Sequence, residues 1–426
     1  MGGRSLDRIP RSGDLFLSVL MVLVLGAIFF LVGCADSPVL TETAGTEPVA
    51  EGGRDGVVEV LGPTPNPAST IRISSEILGE DRRVYIQLPD GYEGSNRRYP
   101  VLVILDGEWL FETARSTTRF FSEYRAMDIN MPPMIILGIE NTDRDHDYVP
   151  TEDPKEDPDF PTAGRADDFL DFLDRELFPY VDRTYRTATS RTIVGWSFGG
   201  LFAMYSAVAR PELFDGYLCV SPAIWWDSDL IYELYHDVSF ERPKRMVITL
   251  GSYEEGGSVA TSTKRILSRF AEDPVQGLQL THFEFERVGH SWGIPAAFDK
   301  GLRQLFAVYL PPDSVVAHGE EEVTRYYRDL SESWGFEVDP PAPVMISLAL
   351  SKEEEGDREH AIEILDRLLE YEPDLSMVWF HRGRFNAQLG DEVQARIDYE
   401  RALAAELKKD VPSGVYLRLF RERLGA

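Results

Sequence analysis

The chain has only two cysteines, Cys34 and Cys219, in 426 residues, so a fold held together by several disulfides is excluded. Cationic side chains are also scarce, because 43 lysines and arginines stand against 72 aspartates and glutamates, for a formal net charge of -29. Such a chain would be repelled by nucleic acid and by anionic lipid headgroups, so neither is expected as a partner. Metal-ligand spacings and a glycine-rich phosphate loop are missing as well, and we expect no metal and no cofactor.

The first 34 residues are typical of an export signal. Arg4, Arg8 and Arg11 precede an uncharged, apolar run over residues 15–31. The run ends in Leu-Val-Gly-Cys, which resembles the lipobox of bacterial lipoproteins. Cys34 is therefore expected to be the lipidated first residue of the mature chain and to anchor it to a membrane outside the cytoplasm. An ordinary signal peptide or a short membrane anchor is the alternative.

The middle of the chain has the pattern of a globular α/β domain over residues 70–312. Residues 35–69, rich in Pro, Gly, Thr and Glu, predict a flexible tether before it. Two alternating segments, 70–73 and 84–88, then predict an antiparallel hairpin. Beyond Pro100, apolar strand-like runs are separated by helical stretches. These runs lie at 101–105, 134–139, 192–194, 216–220, 246–250 and 281–285. The order predicts a mostly parallel sheet that helices cover on both faces.

One short motif points to chemistry. Residues 195–199 read Gly-Trp-Ser-Phe-Gly and lie between an apolar strand run and a helical stretch. The flanking glycines allow a sharp turn that holds a serine hydroxyl clear of the sheet, at the N-terminus of the following helix. Ser197 is therefore predicted to be a catalytic nucleophile. A structural serine in a tight turn is the alternative.

The partners of a nucleophilic serine are found downstream, in the chain order that α/β-hydrolases use. His290 follows the last strand run, so it is expected at the carboxyl edge of the sheet, where open α/β sheets bind ligands. It is the predicted general base, although it could also be a turn histidine without chemistry. Glu254, after the strand run 246–250, is the predicted acid that orients the imidazole. Glu255 is the runner-up, and both could be solvated loop acids.

An oxyanion hole needs two backbone N–H donors. Phe198, directly after the nucleophile, is the first predicted donor. The second is placed on Gly107 or Glu108, in the turn after the strand run 101–105, because glycine permits close backbone approach there.

Three tryptophans are candidate substrate contacts. Trp109 lies in the turn of the second oxyanion donor, and Trp225 and Trp226 follow a strand run. Packing of the tryptophan pair in the core is an equally open interpretation. The stretch 141–164 carries eight acids against one lysine and one arginine. Its length indicates a lid or rim loop, whose charge would discourage a polyanionic substrate, although a merely solvated insertion is the default interpretation.

Four segments together resemble the esterase family that includes enterochelin esterases, related siderophore esterases and esterase D. They read PVLVILDGEWLF at 100–111, GWSFGGLF at 195–202, SPAIWW at 221–226 and VGHSW at 288–292. The resemblance spans about residues 71–309. It implies an α/β-hydrolase that cleaves carboxylic esters through an acyl-enzyme, and in this family some members work with a weak or absent acid.

Residues 313–426 predict a separate, all-α module. Gly-Asp at 356–357 recurs at 390–391, and Ala361 recurs as Ala395, each 34 residues later, which is the tetratricopeptide period. Two repeats are fewer than independent stability usually requires. The pair is therefore expected to pack on the enzyme through the helical stretch 321–334. A stabilising appendage is the preferred interpretation, and binding of a protein partner is the alternative.

Taken together, the sequence predicts a lipid-anchored serine esterase of the cell envelope, on the periplasmic face or the cell surface. Acyl transfer to an alcohol would use the same triad, so it stays open beside hydrolysis. A catalytically idle hydrolase fold that binds a partner through its tail is a further hypothesis. The presence of both Ser197 and His290 argues against it. Small acyl, aryl and siderophore lactone esters are all open as substrates.

Overall fold

The computed structural model describes residues 58–63, 69–122, 131–152, 159–227, 230–409 and 412–425. The predicted signal peptide, Cys34 and most of the predicted tether lie outside these residues. Within the tether range, Val58–Pro63 forms a strand, β1, that pairs antiparallel with Ser69–Ser75, β2. A structureless tether up to residue 69 is therefore the wrong prediction for this stretch. Its short Val-Glu-Val alternation suits a strand, and the neighbouring prolines and glycines masked that signal.

After β1 and β2 the chain adds seven strands to the same sheet. They are β3 (Glu80–Gln87), β4 (Tyr99–Ile104), β5 (Ile135–Ile139), β6 (Thr187–Trp196), β7 (Gly216–Val220), β8 (Lys244–Gly251) and β9 (Leu278–Phe285). The spatial order in the described chain is β1-β2-β3-β5-β4-β6-β7-β8-β9. Pairs up to β3–β5 are antiparallel, and the pairs from β5–β4 to β8–β9 are parallel. The carboxyl ends of the parallel strands therefore meet at one edge of the sheet.

Helices follow most of these strands. They are α1 (Gly107–Ser122), α2 (Arg144–Tyr148), α3 (Ala166–Phe172), α4 (Phe178–Thr184), α5 (Phe198–Ala209), α6 (Leu230–Leu234), α7 (Ser258–Glu272) and α8 (Ile294–Leu305). Alternate residues of β4 serve opposite faces: Leu102 and Ile104 pack with α1 and α8, whereas Val101 and Val103 pack with α3, α4 and α5. The prediction of a mostly parallel, doubly covered sheet with an antiparallel start is confirmed.

The rest of the chain is helical, which confirms the predicted all-α module. Its helices are α9 (Asp313–Ala317), α10 (Glu320–Trp334), α11 (Ala342–Glu354), α12 (Arg358–Tyr371), α13 (Ser376–Leu389), α14 (Glu392–Leu407) and α15 (Gly414–Leu424). The repeated Gly-Asp pair has a local cause. Gly356 and Gly390 have φ near 90°, a backbone that favours glycine and ends a helix. Asp357 and Asp391 then cap α12 and α14 by accepting a backbone N–H in the first turn.

The tail and the sheet share one apolar core. Trp334, at the end of α10, packs on Phe306 and Tyr309, with ring centroids 5.8 and 6.4 Å apart. One continuous cluster of buried residues runs from the α8 face of the sheet into α11 to α15. The helical module is therefore packed on the α/β domain through α10, as expected from the sequence.

A buried ion cluster adds a polar connection between the same two parts. Arg97, just before β4, is 8% exposed at its side chain. Its guanidinium donates to Asp339 Oδ2 at 3.1 Å and to Glu372 Oε1 at 2.7 Å, and it stacks 4.2 Å from the ring centroid of Tyr371. Burial raises the pKa of both carboxyl groups, and the positive charge of Arg97 opposes that rise. Arg97 thus supplies the positive charge that both carboxyl groups face in this interface.

Replacing Arg97 with alanine is expected to lower the free energy of unfolding by about 3 kcal/mol, because two partly buried carboxylates lose their counter-charge. The effect should be visible as a lower urea midpoint, followed by far-UV circular dichroism. Arg396→Ala is the matched control, since Arg396 forms an exposed pair with Glu400 on α14 and should cost at most about 0.5 kcal/mol. Equal midpoints for the two variants would contradict a stabilising role for the cluster.

Candidate active site

Ser197 lies in the turn between β6 and α5. Its backbone has φ 58° and ψ -115°, which is rare and strained for a residue with a side chain. Three backbone hydrogen bonds hold it there: its N–H donates to Val220 O at 2.9 Å, and its carbonyl accepts from Ala223 N–H and from Leu201 N–H, each at 3.0 Å. A Cβ at Gly195 would lie 2.0 Å from the carbonyl oxygen of Gly199. Glycine is therefore required at Gly195, and the turn has the geometry of a nucleophile elbow.

His290 and Glu254 come from two different loops at the carboxyl edge of the sheet and are in contact. Nδ1 of His290 lies 2.7 Å from Oε2 of Glu254. The Glu254 side chain is 6% exposed and that of His290 is 36% exposed, so the acid is the more deeply buried of the two. The indole N–H of Trp196 donates to the carbonyl oxygen of His290 at 2.9 Å. Because Trp196 precedes Ser197, this bond joins the histidine loop to the serine turn.

The second carboxylate oxygen of Glu254 has its own partners. Oε1 accepts the hydroxyl of Ser221 at 2.7 Å and the backbone N–H of Gly251 at 2.8 Å. Burial acts to raise the pKa of Glu254, but the hydrogen bonds from His290, Ser221 and Gly251 outweigh it, and the pKa is lowered. The carboxylate is therefore ionised at neutral pH.

Glu255, the runner-up for the acid, lies elsewhere. Its side chain is 78% exposed, and its carboxylate is 3.9 Å from Nζ of Lys264 on α7. Of the two candidate acids, the structure brings Glu254 to His290.

The predicted oxyanion donors lie at the N-termini of two helices. Phe198 is the first residue of α5, and Gly107 is the first residue of α1. N–H groups in the first turn of a helix have no acceptor within the helix, and the helix dipole favours negative charge there. Glu108 follows, and its carboxylate accepts the N–H of Asn141 at 3.0 Å. A Cβ at Gly107 would lie 2.5 Å from the carbonyl carbon of Gly138. Only glycine therefore allows the backbone at residue 107 to lie this close to the backbone at residue 138.

A buried ion pair connects the two turns. Asp106, the residue before α1, is completely buried and has φ 54°. Its carboxylate accepts hydrogen bonds from Nε and Nη2 of Arg144 at 2.9 and 3.0 Å, and from the side-chain amide of Asn141 at 3.0 Å. Nη2 of Arg144 also donates to the carbonyl oxygen of Trp196 at 2.6 Å. Arg144 thus links the turn after β4 to the turn that carries Ser197.

Sequence reasoning missed Asp106, Arg144 and Ser221. The one available signal was that Arg144 is the single arginine in the acidic stretch 141–164. The length and charge of that stretch indicate a lid or rim loop. In the structure, Tyr148 of this stretch is completely buried and packs in the core on one face of the sheet.

The candidate aromatic residues lie in different environments. Trp109 is 59% exposed, with its ring 6.4 Å from that of Trp196. Trp225 is partly buried, 5.8 Å from the ring of Phe198. Trp226 is completely buried, and its indole N–H donates to the carbonyl oxygen of Thr151 at 3.2 Å. Of the two interpretations left open for Trp226, packing in the core is confirmed, and a contact with substrate is wrong.

A cavity of about 280 Å³ lies at the opposite, amino-terminal edge of the sheet, beside α10, and includes Arg245 and Trp334 in its lining. Its lining includes none of the proposed triad residues or oxyanion donors. In the part of the chain that the structure describes, no group of three or more His, Cys, Asp and Glu side chains is placed to hold a metal ion. None of the described helices is both long and apolar enough to cross a bilayer.

Solved structures with this fold include a serine hydrolase. The IroE-like serine hydrolase from Shewanella oneidensis matches with a TM-score of 0.63 and 26% sequence identity, over 70% of this chain and 98% of its own. An uncharacterised protein from Capnocytophaga ochracea matches the fold with a TM-score of 0.56 at 16% identity. That match covers 84% of this chain and 98% of the other, so it reaches into the helical tail. The sheet order and the match to this serine hydrolase place the chain in the α/β-hydrolase class.

The sequence comparisons find relatives that are named as esterases, and they show that this chain is a carboxylic ester hydrolase. Residues 75–266 match the family described as Putative esterase. Ferri-bacillibactin esterase BesA of Bacillus subtilis is 28% identical over 226 residues, which are 48% of this chain and 78% of that protein. Siderophore enterobactin esterase of Emericella nidulans is 32% identical over 152 residues. The match covers 32% of this chain and half of the fungal protein.

Proposed function

We propose that this esterase acts through an acyl-enzyme with Ser197 as nucleophile, His290 as general base and acid, and Glu254 as the orienting acid. The observation that carries the proposal is the hydrogen-bonded His290–Glu254 pair, joined to the serine turn through Trp196. Ser197 Oγ attacks the ester carbonyl carbon while His290 takes the hydroxyl proton. His290 then returns that proton to the leaving alkoxide. A water molecule, deprotonated by the same imidazole, then attacks the acyl carbon. The bond from that carbon to Ser197 Oγ breaks, His290 gives the proton back to Oγ, and the carboxylic acid leaves.

The acid determines which imidazole nitrogen reacts. An ionised carboxylate 2.7 Å from Nδ1 favours the tautomer with the proton on Nδ1, which leaves the Nε2 lone pair available for the serine hydroxyl. The same negative charge stabilises the imidazolium that forms as the serine attacks. Since the pKa of Glu254 is lowered, the carboxylate keeps its charge throughout the neutral pH range.

The negative charge that develops on the ester oxygen needs donors that are already in place. We assign these donors to the N–H of Phe198 and the N–H of Gly107 or Glu108, at the starts of α5 and α1. Removing one such donor typically costs about 2.7–4 kcal/mol of transition-state stabilisation. The contacts of Arg144 with Asp106 and with Trp196 O support the assignment, because they fix the positions of the two turns relative to each other.

Three further proposals concern the substrate, the location of the enzyme and the role of the helical module. Relatives named as siderophore esterases support a siderophore-type ester or another small ester as substrate, and the exposed indole of Trp109 offers a flat surface beside the site. The Leu-Val-Gly-Cys sequence ending at Cys34 supports a lipid-anchored, extracytoplasmic enzyme. The packing of the helical module on the α/β domain favours a stabilising role for that module.

We expect the purified protein to hydrolyse p-nitrophenyl acetate and butyrate faster than the decanoate, and to open the lactone of enterobactin. Product release is measured by absorbance for the aryl esters and by chromatography for the lactone. Cleavage of the p-nitrophenyl esters without any lactone opening would contradict the siderophore proposal and leave the esterase mechanism in place. A p-nitrophenyl ester cleaved at the spontaneous rate would contradict the mechanism.

A further inference from the structure

The turn over residues 220–223, which follows β7, contacts both ends of the proposed triad. Its backbone holds the nucleophile on two sides, because Val220 O accepts the N–H of Ser197 at 2.9 Å and Ala223 N–H donates to Ser197 O at 3.0 Å. The N–H of Ser221 donates to Thr249 O at 2.9 Å. That bond extends the β7–β8 pairing toward the segment after β8, which carries Glu254.

Within this turn, the Ser221 hydroxyl reaches the acid directly. It donates to Oε1 of Glu254 at 2.7 Å, while Oε2 faces His290. The only other donor to Oε1 among the described residues is the N–H of Gly251 at 2.8 Å. One carboxylate oxygen, Oε1, is thus held by Ser221 and Gly251, and the other, Oε2, faces His290. Without the Ser221 hydroxyl, Oε1 would keep one donor, the N–H of Gly251.

The backbone of Ser221 carries strain that its surroundings maintain. Its φ is 41°, in the region that favours glycine, and the residue is 3% exposed. A non-glycine residue in this region is strained, and such strain tends to occur at functional sites. Here the side chain that makes the turn unfavourable is the same side chain that donates to Glu254. A glycine would relieve the strain but would lose the hydrogen bond.

We infer that Ser221 is a positioning residue for this enzyme: its hydroxyl fixes the rotamer of Glu254, and its turn fixes that acid relative to the Ser197 backbone. The inference rests on the proposed function, in which Glu254 serves His290. A hydrogen bond to a charged group is stronger than one between neutral groups, so loss of the hydroxyl should reduce kcat/KM at least about tenfold. The loss should fall mainly on kcat, because Ser221 contacts the acid and not the substrate.

The test compares Ser221→Ala with Ser221→Gly in the full chain, using p-nitrophenyl butyrate. The two variants lose the same hydroxyl, but only the glycine variant relieves the backbone strain. A similar loss of kcat in both would assign the effect to the hydroxyl. Ser206→Ala is the matched control. Ser206 is also a buried serine, but its hydroxyl donates to Ala203 O within α5, and its kcat should stay within about twofold of wild type.

Two readouts separate positioning from general damage to the fold. First, in a Glu254→Gln background, Ser221→Ala should cause almost no further loss, because both changes disable the same acid. Second, KM and the melting temperature of Ser221→Ala should stay near those of the wild type while kcat falls, because Ser221 contacts the acid and not the substrate.

Wild-type kcat in both Ser221 variants would overturn the inference. A full additional loss in the Glu254→Gln background would overturn it as well. In either case the proposed function stands as long as Ser197→Ala is inactive. A wild-type protein that cleaves no ester would overturn the proposed function and, with it, the role of Ser221.

Discussion

Replacing Ser197 with alanine is expected to reduce kcat/KM for p-nitrophenyl butyrate by about 10⁶-fold, to the range left by binding and the oxyanion donors alone. The change removes the only atom that can form the acyl-enzyme. The turn should persist, because Val220 O and Ala223 N–H bond to the backbone of residue 197 and not to its side chain. A fluorophosphonate probe should label the wild-type protein and leave the variant unlabelled.

The control for this experiment is Ser268→Ala, which removes a hydroxyl from the exposed face of α7, where it donates to Lys264 O. Its activity and labelling should equal those of the wild type. An active Ser197→Ala variant with an unchanged melting temperature would mean that another group attacks the ester, and the proposed mechanism would have to be abandoned.

Replacing Glu254 with glutamine is expected to lower kcat by about 10⁴-fold while changing KM little. The substitution keeps the size of the side chain and its hydrogen bonds to Ser221 and Gly251 can partly survive. It removes the negative charge 2.7 Å from His290 Nδ1, so the imidazole loses both its preferred tautomer and the stabilisation of its charged form. Steady-state kinetics at pH 7 and pH 8 would measure the loss.

Glu255→Gln is the matched control, because it makes the same chemical change one residue later. Its carboxylate is exposed and lies near Lys264, so kcat should stay within about twofold of wild type. If Glu254→Gln lost less than tenfold, the enzyme would work without a strong acid, as the family resemblance allows. Loss in Glu255→Gln alone would transfer the role to that residue.

The strands and the serine turn could be predicted because their signals are local. Apolar runs such as 101–105 and 216–220 have the length and composition of buried strands, and the structure has β4 and β7 there. The Gly-Trp-Ser-Phe-Gly motif specifies its own sharp turn, since Gly195 and Gly199 face each other closely. The 34-residue repeat likewise corresponds to paired caps at Asp357 and Asp391.

The same local signals misjudged three stretches. β1 was masked by the prolines and glycines around it, and its strand pairing depends on β2, which follows it in the chain. Trp226 is apolar and lies next to Trp225, and nothing in that pair of letters shows that one ring is buried and the other is partly open. The acidic composition of 141–164 suggested solvent exposure, yet Tyr148 and Val149 are completely buried.

The sequence by itself determined the residue types of the candidate site, their order along the chain and the edge of the sheet where they gather. These features follow from periodicity, turn chemistry and the rule that parallel strands end together. Only the tertiary structure decided which of two adjacent acids meets His290, and that Arg144 joins Asp106 to Trp196. It also decided that Arg97 bonds Glu372, 275 residues away. The reason is physical: backbone preference is a property of a few neighbouring residues, whereas a side-chain pair depends on how distant elements pack.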